Sequence, residues 1–151
     1  MKNVSVNPQI FKFKYLPEFA EYILQDHLTE FTTVGIRYCR EADLPMLKPL
    51  SKLSEDQLVA LSLDSNKQML TALAKNNIAP YIEQNAKNWI DNKLGVIDKE
   101  EILAEDLTLA FFLRRKTFSY FVYGYPLVIT AEVKNYCWIQ EVFWDTVFTL
   151  S

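Results

Sequence analysis

Apolar residues along this chain recur at steps of three and four rather than two. After Pro17, whose missing N–H suits a first helical turn, Phe19, Ile23, His27, Phe31, Val34 and Tyr38 keep to one face. They predict a helix to about Glu41. Pro45 and Pro49 confine the next stretch to an irregular or single-turn segment. Ser54-Glu55-Asp56-Gln57 is a capping box with acids in the first turn. The helix it opens carries Leu58, Leu61, Met69, Leu70 and Leu73 to about Lys75, with a break expected near Asp64-Ser65-Asn66. Pro80 sits near the start of the next helix, which carries Tyr81, Ile82, Trp89, Ile90 and Leu94, with Gly95 as its C′ residue. Asp98-Lys99-Glu100-Glu101 reads as a second capping box, opening a helix to about Tyr123 that Gly124 and Pro126 end. A last helix then runs to about Thr149. Before Pro17, residues 1–16 alternate in part through Val4, Val6, Ile10, Phe11 and Phe13, with Pro8 interrupting. They form an extended arm, either packed on the domain or on a partner, or loosely docked as a tail. No Asn-Gly or Asp-Gly turn, internal repeat or Gly/Ser linker occurs. The expected fold is all-α: a single domain of five to seven helices over residues 17–151, with the extended N-terminal arm over residues 1–16.

The last helix has the clearest pattern. Ile129, Val133, Tyr136, Gln140, Phe143, Val147 and Leu150 are spaced 4, 3, 4, 3, 4, 3, the 3.5-residue period of a coiled-coil seam. Cys137, Trp138, Trp144 and Phe148 make a second apolar stripe. A surface helix needs one apolar face, so this helix is either shared with a second subunit or flanked on both sides within one core. The first reading makes Ile129, Val133, Tyr136, Gln140, Phe143, Trp144 and Val147 a dimer interface, with Trp138 beside it.

Composition removes several function classes. The chain has 151 residues with 16 Lys+Arg against 19 Asp+Glu, a net charge of −3, so it has no electrostatic footprint for nucleic acid. Three glycines leave no room for a Gly-rich phosphate cradle, and one histidine rules out a His-only metal cluster or a di-iron bundle. Cys39 and Cys137 lie far apart, without zinc or CxxC spacing, which fits a reduced, cytoplasmic protein. Neither a signal peptide nor a membrane span is expected. No nucleophile elbow or metalloprotease motif occurs, so no catalytic residue is assigned and the chain is not expected to be an enzyme. Glu100, Glu101, Glu105 and Asp106 read as helix-start acids that complement the dipole.

Two residues remain with possible ligand chemistry. Arg114, Arg115 and Lys116 fan over about 200° of the helical wheel, so not all of them can face water. Arg114 falls between Ala110 and Phe118 on the inward face. It either meets an acidic group or ligand, or lays its stem on the apolar face with its head in solvent. His27 stands on the apolar face of the first helix, and a core or boundary histidine is the expected role; haem is not expected as a cofactor.

The run Ala104-Glu105-Asp106-Leu107-Thr108-Leu109, then Leu113-Arg114-Arg115-Lys116-Thr117-Phe118 and Phe121, leads through Tyr123-Gly124-Tyr125 into the apolar last helix. This order resembles the N-terminal sensor domains of some bacterial sensor histidine kinases. Those in turn look related to the non-haem globin domains of stressosome and sporulation-inhibitory sensor proteins. The resemblance implies a globin-like helical fold without haem, a homodimer through the last helices, and signal output through a following domain or partner protein. It also implies a small fatty-acid-like or anionic ligand, or none. Arg114 would anchor an acidic head group, with Tyr22, Phe31, Phe111, Phe118 and Phe121 as apolar walls. No kinase or other output domain accompanies these residues, so an excised domain or a stand-alone, partner-titrating protein is expected. The competing reading is a ligand-free protein–protein interaction module. An apolar cavity ending at a cation separates the two.

Overall fold

The computed structural model describes residues 5–93, 98–122 and 127–150, with the side chains of residues 127, 128 and 150 left aside. The fold is all-α, and no strand occurs among the described residues. Among the described residues six α-helices follow in order: α1 Leu16–Asp26, α2 Leu28–Glu41, α3 Glu55–Ala74, α4 Ala79–Ile90, α5 Ala104–Tyr120 and α6 Leu127–Leu150. Short 3-10 turns cover Pro8–Phe11, Pro45–Leu50 and Lys99–Glu101. Helix α3 packs against α1 and α2, α2 also packs against α5, and α5 lies along α6.

Local chemistry accounts for most helix ends. The Gln57 N–H donates to Ser54 Oγ (3.2 Å) and the Ser54 N–H to Gln57 Oε1 (2.8 Å), so the first capping box forms. Helices α2, α3 and α4 end on Asp43, Asn76 and Asn92, each left-handed with φ of 53°, 53° and 55°. Asx residues tolerate that conformation better than other non-glycines. Thus α4 ends four residues earlier than Leu94, and the Gly95 expected to end it lies outside the described residues, as do Gly124 and Pro126.

Three expected elements differ. The single helix from Pro17 to Glu41 is broken at His27, whose φ of −137° and ψ of 18° leave the helical region. The break re-aims the chain so that Phe19 and Ile23 of α1 and Phe31 and Val34 of α2 all reach one core. No break occurs at Asp64-Ser65-Asn66, and α3 is continuous there. Asp98 caps only the turn Lys99–Glu101, through the Glu100 N–H (3.1 Å). Helix α5 starts later, where the buried Asp106 carboxylate accepts from the Leu103 N–H (2.9 Å).

Residues 5–15 are not a free arm. Val6, Phe11 and Phe13 join the main core with residues of α1, α2, α3, α4, α5 and α6. Backbone ties hold them there: the Val6 N–H donates to Glu83 Oε1 (2.8 Å) and the Phe13 N–H to Asn76 Oδ1 (3.0 Å). Glu132 of α6 accepts from the N–H groups of Tyr15 (2.9 Å) and Leu16 (2.8 Å), satisfying donors at the start of α1.

Candidate functional site

The dimer seam expected on α6 faces inward. Ile129, Val133, Tyr136, Gln140, Trp144 and Val147 are buried by the chain itself, and Phe143 is half-buried. Tyr136 lies edge-on to Phe11, Phe13 and Phe118 at 6.0–6.3 Å. Trp144 meets Trp89 of α4 at 5.9 Å. Six of the seven side chains are therefore covered within one chain, and only Phe143 keeps part of its surface. The 3.5-residue spacing marks a buried face, and α1, α4, α5 and the N-terminal segment supply its cover.

Of the aromatic residues expected around a ligand, Tyr22, Phe31, Phe118 and Phe121 come together, but mostly away from Arg114, and Phe111 lies apart. Phe31, Phe118 and Phe121 meet Phe19, Tyr22 and His27 in one aromatic cluster of mostly tilted and edge-on rings. His27 is half-exposed, its Nδ1 3.4 Å from Glu30 Oε2. Phe111 belongs to a second, smaller core with Trp89, Trp144 and Val147. Of the six ligand residues, Arg114 and Phe31 line one common cleft; Tyr22, Phe111, Phe118 and Phe121 do not.

That cleft, of about 210 Å³, lies between α2, α3 and α5, beneath Leu44, Met46 and Leu47 of the proline-rich segment. Its walls are mainly apolar, and among the described residues that line it Arg114 is the single cation and none is a carboxylate. Arg114 Nη1 donates to Asn66 Oδ1 (3.0 Å), Asn66 Nδ2 to Thr32 Oγ1 (3.1 Å), and Thr32 Oγ1 to the Leu28 carbonyl (2.9 Å). Each donor in this chain points away from the cation, so the guanidinium is held from behind by neutral acceptors. Among the described residues no carboxylate forms an ion pair with Arg114.

Sequence reasoning missed Asn66 and Thr32. Both are buried, Thr32 almost completely. Asn66 lies on the stripe of Leu58, Met69, Leu70 and Leu73, where a polar residue in a helix interior is unfavourable without a partner. That polar position on an apolar stripe was the available signal.

The Arg114 charge also reaches three other buried groups. Burial raises the Cys39 thiol, pushes Cys137 up to about 12 and lifts the Tyr136 hydroxyl well above its ordinary value; in each case Arg114 opposes the shift. Both thiols are thus held protonated at neutral pH, the unreactive form. Among the described residues the Tyr136 hydroxyl has no hydrogen-bond partner. Among the described residues no three His, Cys, Asp or Glu side chains come together as a metal site, and no helix is long and apolar enough to cross a membrane. No protein-family model, curated protein or solved structure matches the chain.

Proposed function

We propose that this chain is a non-haem, ligand-binding regulatory domain whose effector is a small organic acid with a short apolar tail. One observation carries the reading: a guanidinium without a carboxylate partner, fixed by buried Asn66, at the wall of an otherwise apolar cleft. A planar guanidinium pairs with a carboxylate through parallel hydrogen bonds. Its pre-organisation lowers the ordering cost of binding. The cleft volume of about 210 Å³ is below the roughly 300–1,000 Å³ typical for drug-sized ligands. A short aliphatic carboxylate therefore fits better than a long fatty acid.

The mechanism is a population shift. Leu44, Met46 and Leu47 cover the cleft from the turn Pro45–Leu50 and the residue before it, while Arg40 ties the following stretch by donating to the Leu53 carbonyl. An acid bound to Arg114 draws this cover and α5 together, and α6, packed along α5, carries the change to an output domain or partner protein. The chain acts by binding rather than turnover, with its two thiols kept protonated by burial. This agrees with the resemblance of Leu113–Phe118 to cytoplasmic bacterial sensor domains.

The test is calorimetric titration with linear carboxylates of increasing length, beside the matching alcohols. Short-chain acids should bind and long ones should not, the alcohols should not bind, and Arg114→Met should abolish binding while the helical signal is kept. Equal binding of acid and alcohol, or undiminished binding to Arg114→Met, would rule the reading out.

A further inference from the structure

The opposite side of α5 and α6 carries a separate feature. An open groove of about 490 Å³ runs between the two helices, walled by Phe112, Arg115, Lys134, Trp138 and Glu141 among others. It continues into a smaller depression of about 220 Å³ that includes Val142 and Asp145. Trp138 is 62% exposed, Val142 51% and Phe112 50%. An exposed tryptophan flanked by further apolar side chains and a polar rim is the signature of an interaction surface.

The charges around this groove are ordered. Arg115 and Lys134 lie toward the Ala131 end, Glu141 and Asp145 toward the Phe148 end. On α6, Lys134 and Glu141 are two turns apart, about 10.5 Å, and their midpoint falls beside Trp138. Ala131, which shares the groove with Arg115, and Asp145 are also centred on Trp138. An apolar centre with one basic and one acidic flank is complementary to itself after a half-turn. A two-fold axis through Trp138 sets α6 antiparallel to its copy. It brings Lys134 of each protomer to Glu141 of the other, and Arg115 toward Asp145.

We infer that the chain forms an isologous dimer through this outer groove, with the two α6 helices antiparallel and crossing at Trp138. Nothing in this inference depends on the Arg114 cleft. The interface uses the face of α6 left open by the fold, opposite the stripe that the 3.5-residue spacing picked out.

The charge order supplies the experiment. Sedimentation of the full chain over a wide concentration range should show a dimer. Lys134→Glu and Glu141→Lys should each weaken it by roughly tenfold or more, because each places like charges together twice. Mixing the two variants should restore association as a heterodimer, visible by native mass spectrometry, since both pairs are then opposite in sign. Lys134 and Glu141 are not core residues, and circular dichroism checks that both variants keep their helices. A wild-type chain that stays monomeric at every concentration overturns the proposal, including the case where the groove serves a different protein. So does a dimer that the charge variants leave unchanged or that mixing fails to restore.

Discussion

Arg114 and Arg115 are neighbours in sequence, yet α5 turns them to opposite fates. Arg114 enters a small covered cleft and is fixed by a chain of hydrogen bonds across three helices. Arg115 lies over the Phe112 ring at 5.7 Å, on the rim of a larger and more open groove. A cation held by buried neutral acceptors has lost part of its hydration and offers a fixed geometry, which suits one small anion. A cation on an open rim stays hydrated and adjustable. It contributes orientation and partner choice more than affinity. The same residue type thus reads as a ligand anchor or as an association guide according to what surrounds it.

The sharpest way to break this comparison is to remove a ring from each side of α5. Phe118→Ala empties a fully buried site against Phe19, Phe31 and Tyr136, and should cost about 3–5 kcal/mol by chemical denaturation. Phe112→Ala, on the outer side, should change monomer stability by no more than about 0.5 kcal/mol while weakening self-association. Equal costs would mean that the two faces are not inside and outside.

The native cysteines report on the two sides separately, because Cys39 lines the cleft and Cys137 the groove. With its thiol raised from 9.0 to about 12 by burial, Cys137 holds far less thiolate at neutral pH and should alkylate more slowly than an unperturbed thiol. A bound acid should slow Cys39 alone, and dimerisation Cys137 alone. The same shift sets a pH dependence. The folded state holds this proton more tightly than the unfolded one, so the contribution is intact below pH 9. It should be lost as pH rises from about 9 to about 12, measurable as a falling denaturation midpoint that Cys137→Ala reduces.

Smaller effects refine the picture. Arg114→Met leaves Asn66 Oδ1 without its donor and should cost about 1–3 kcal/mol, whereas Arg115→Met should be close to neutral for folding. Tyr136→Phe removes a hydroxyl that is buried without a partner, and stability should rise by about 1 kcal/mol. A loss of that size would instead extend the polar chain beyond α2, α3 and α5 to α6.

Local rules were legible in the sequence; relations between distant segments were not. The Ser54–Gln57 box formed as read because both partners lie within one turn. The all-α class followed from three- and four-residue spacing. The break at His27 left no trace, since Ile23, His27 and Phe31 keep their spacing across it. Asn66 resembled a helix breaker by propensity, and only Thr32 and Arg114, from two other helices, make it favourable. The stripe on α6 announced that a face is covered, but periodicity is identical whether the cover comes from the same chain or another. Arg114 was placed on the inward face, yet of the aromatic walls assigned to it only Phe31 shares its cleft, and locating the others needed the packing of α1 and α6.

The Glu132 carboxylate that caps α1 lies well over a hundred residues downstream of Tyr15 and Leu16. On a ribosome, which adds roughly 5–20 residues per second, the first helix is made many seconds before its cap exists. Until α6 emerges, Phe11 and Phe13 also lack the Tyr136 ring they finally pack against. The beginning of this domain is therefore finished last: Asn76 and Glu83 are made in time to hold its N-terminal segment early, but the cap on α1 and the Tyr136 ring complete its cover only when the last helix arrives.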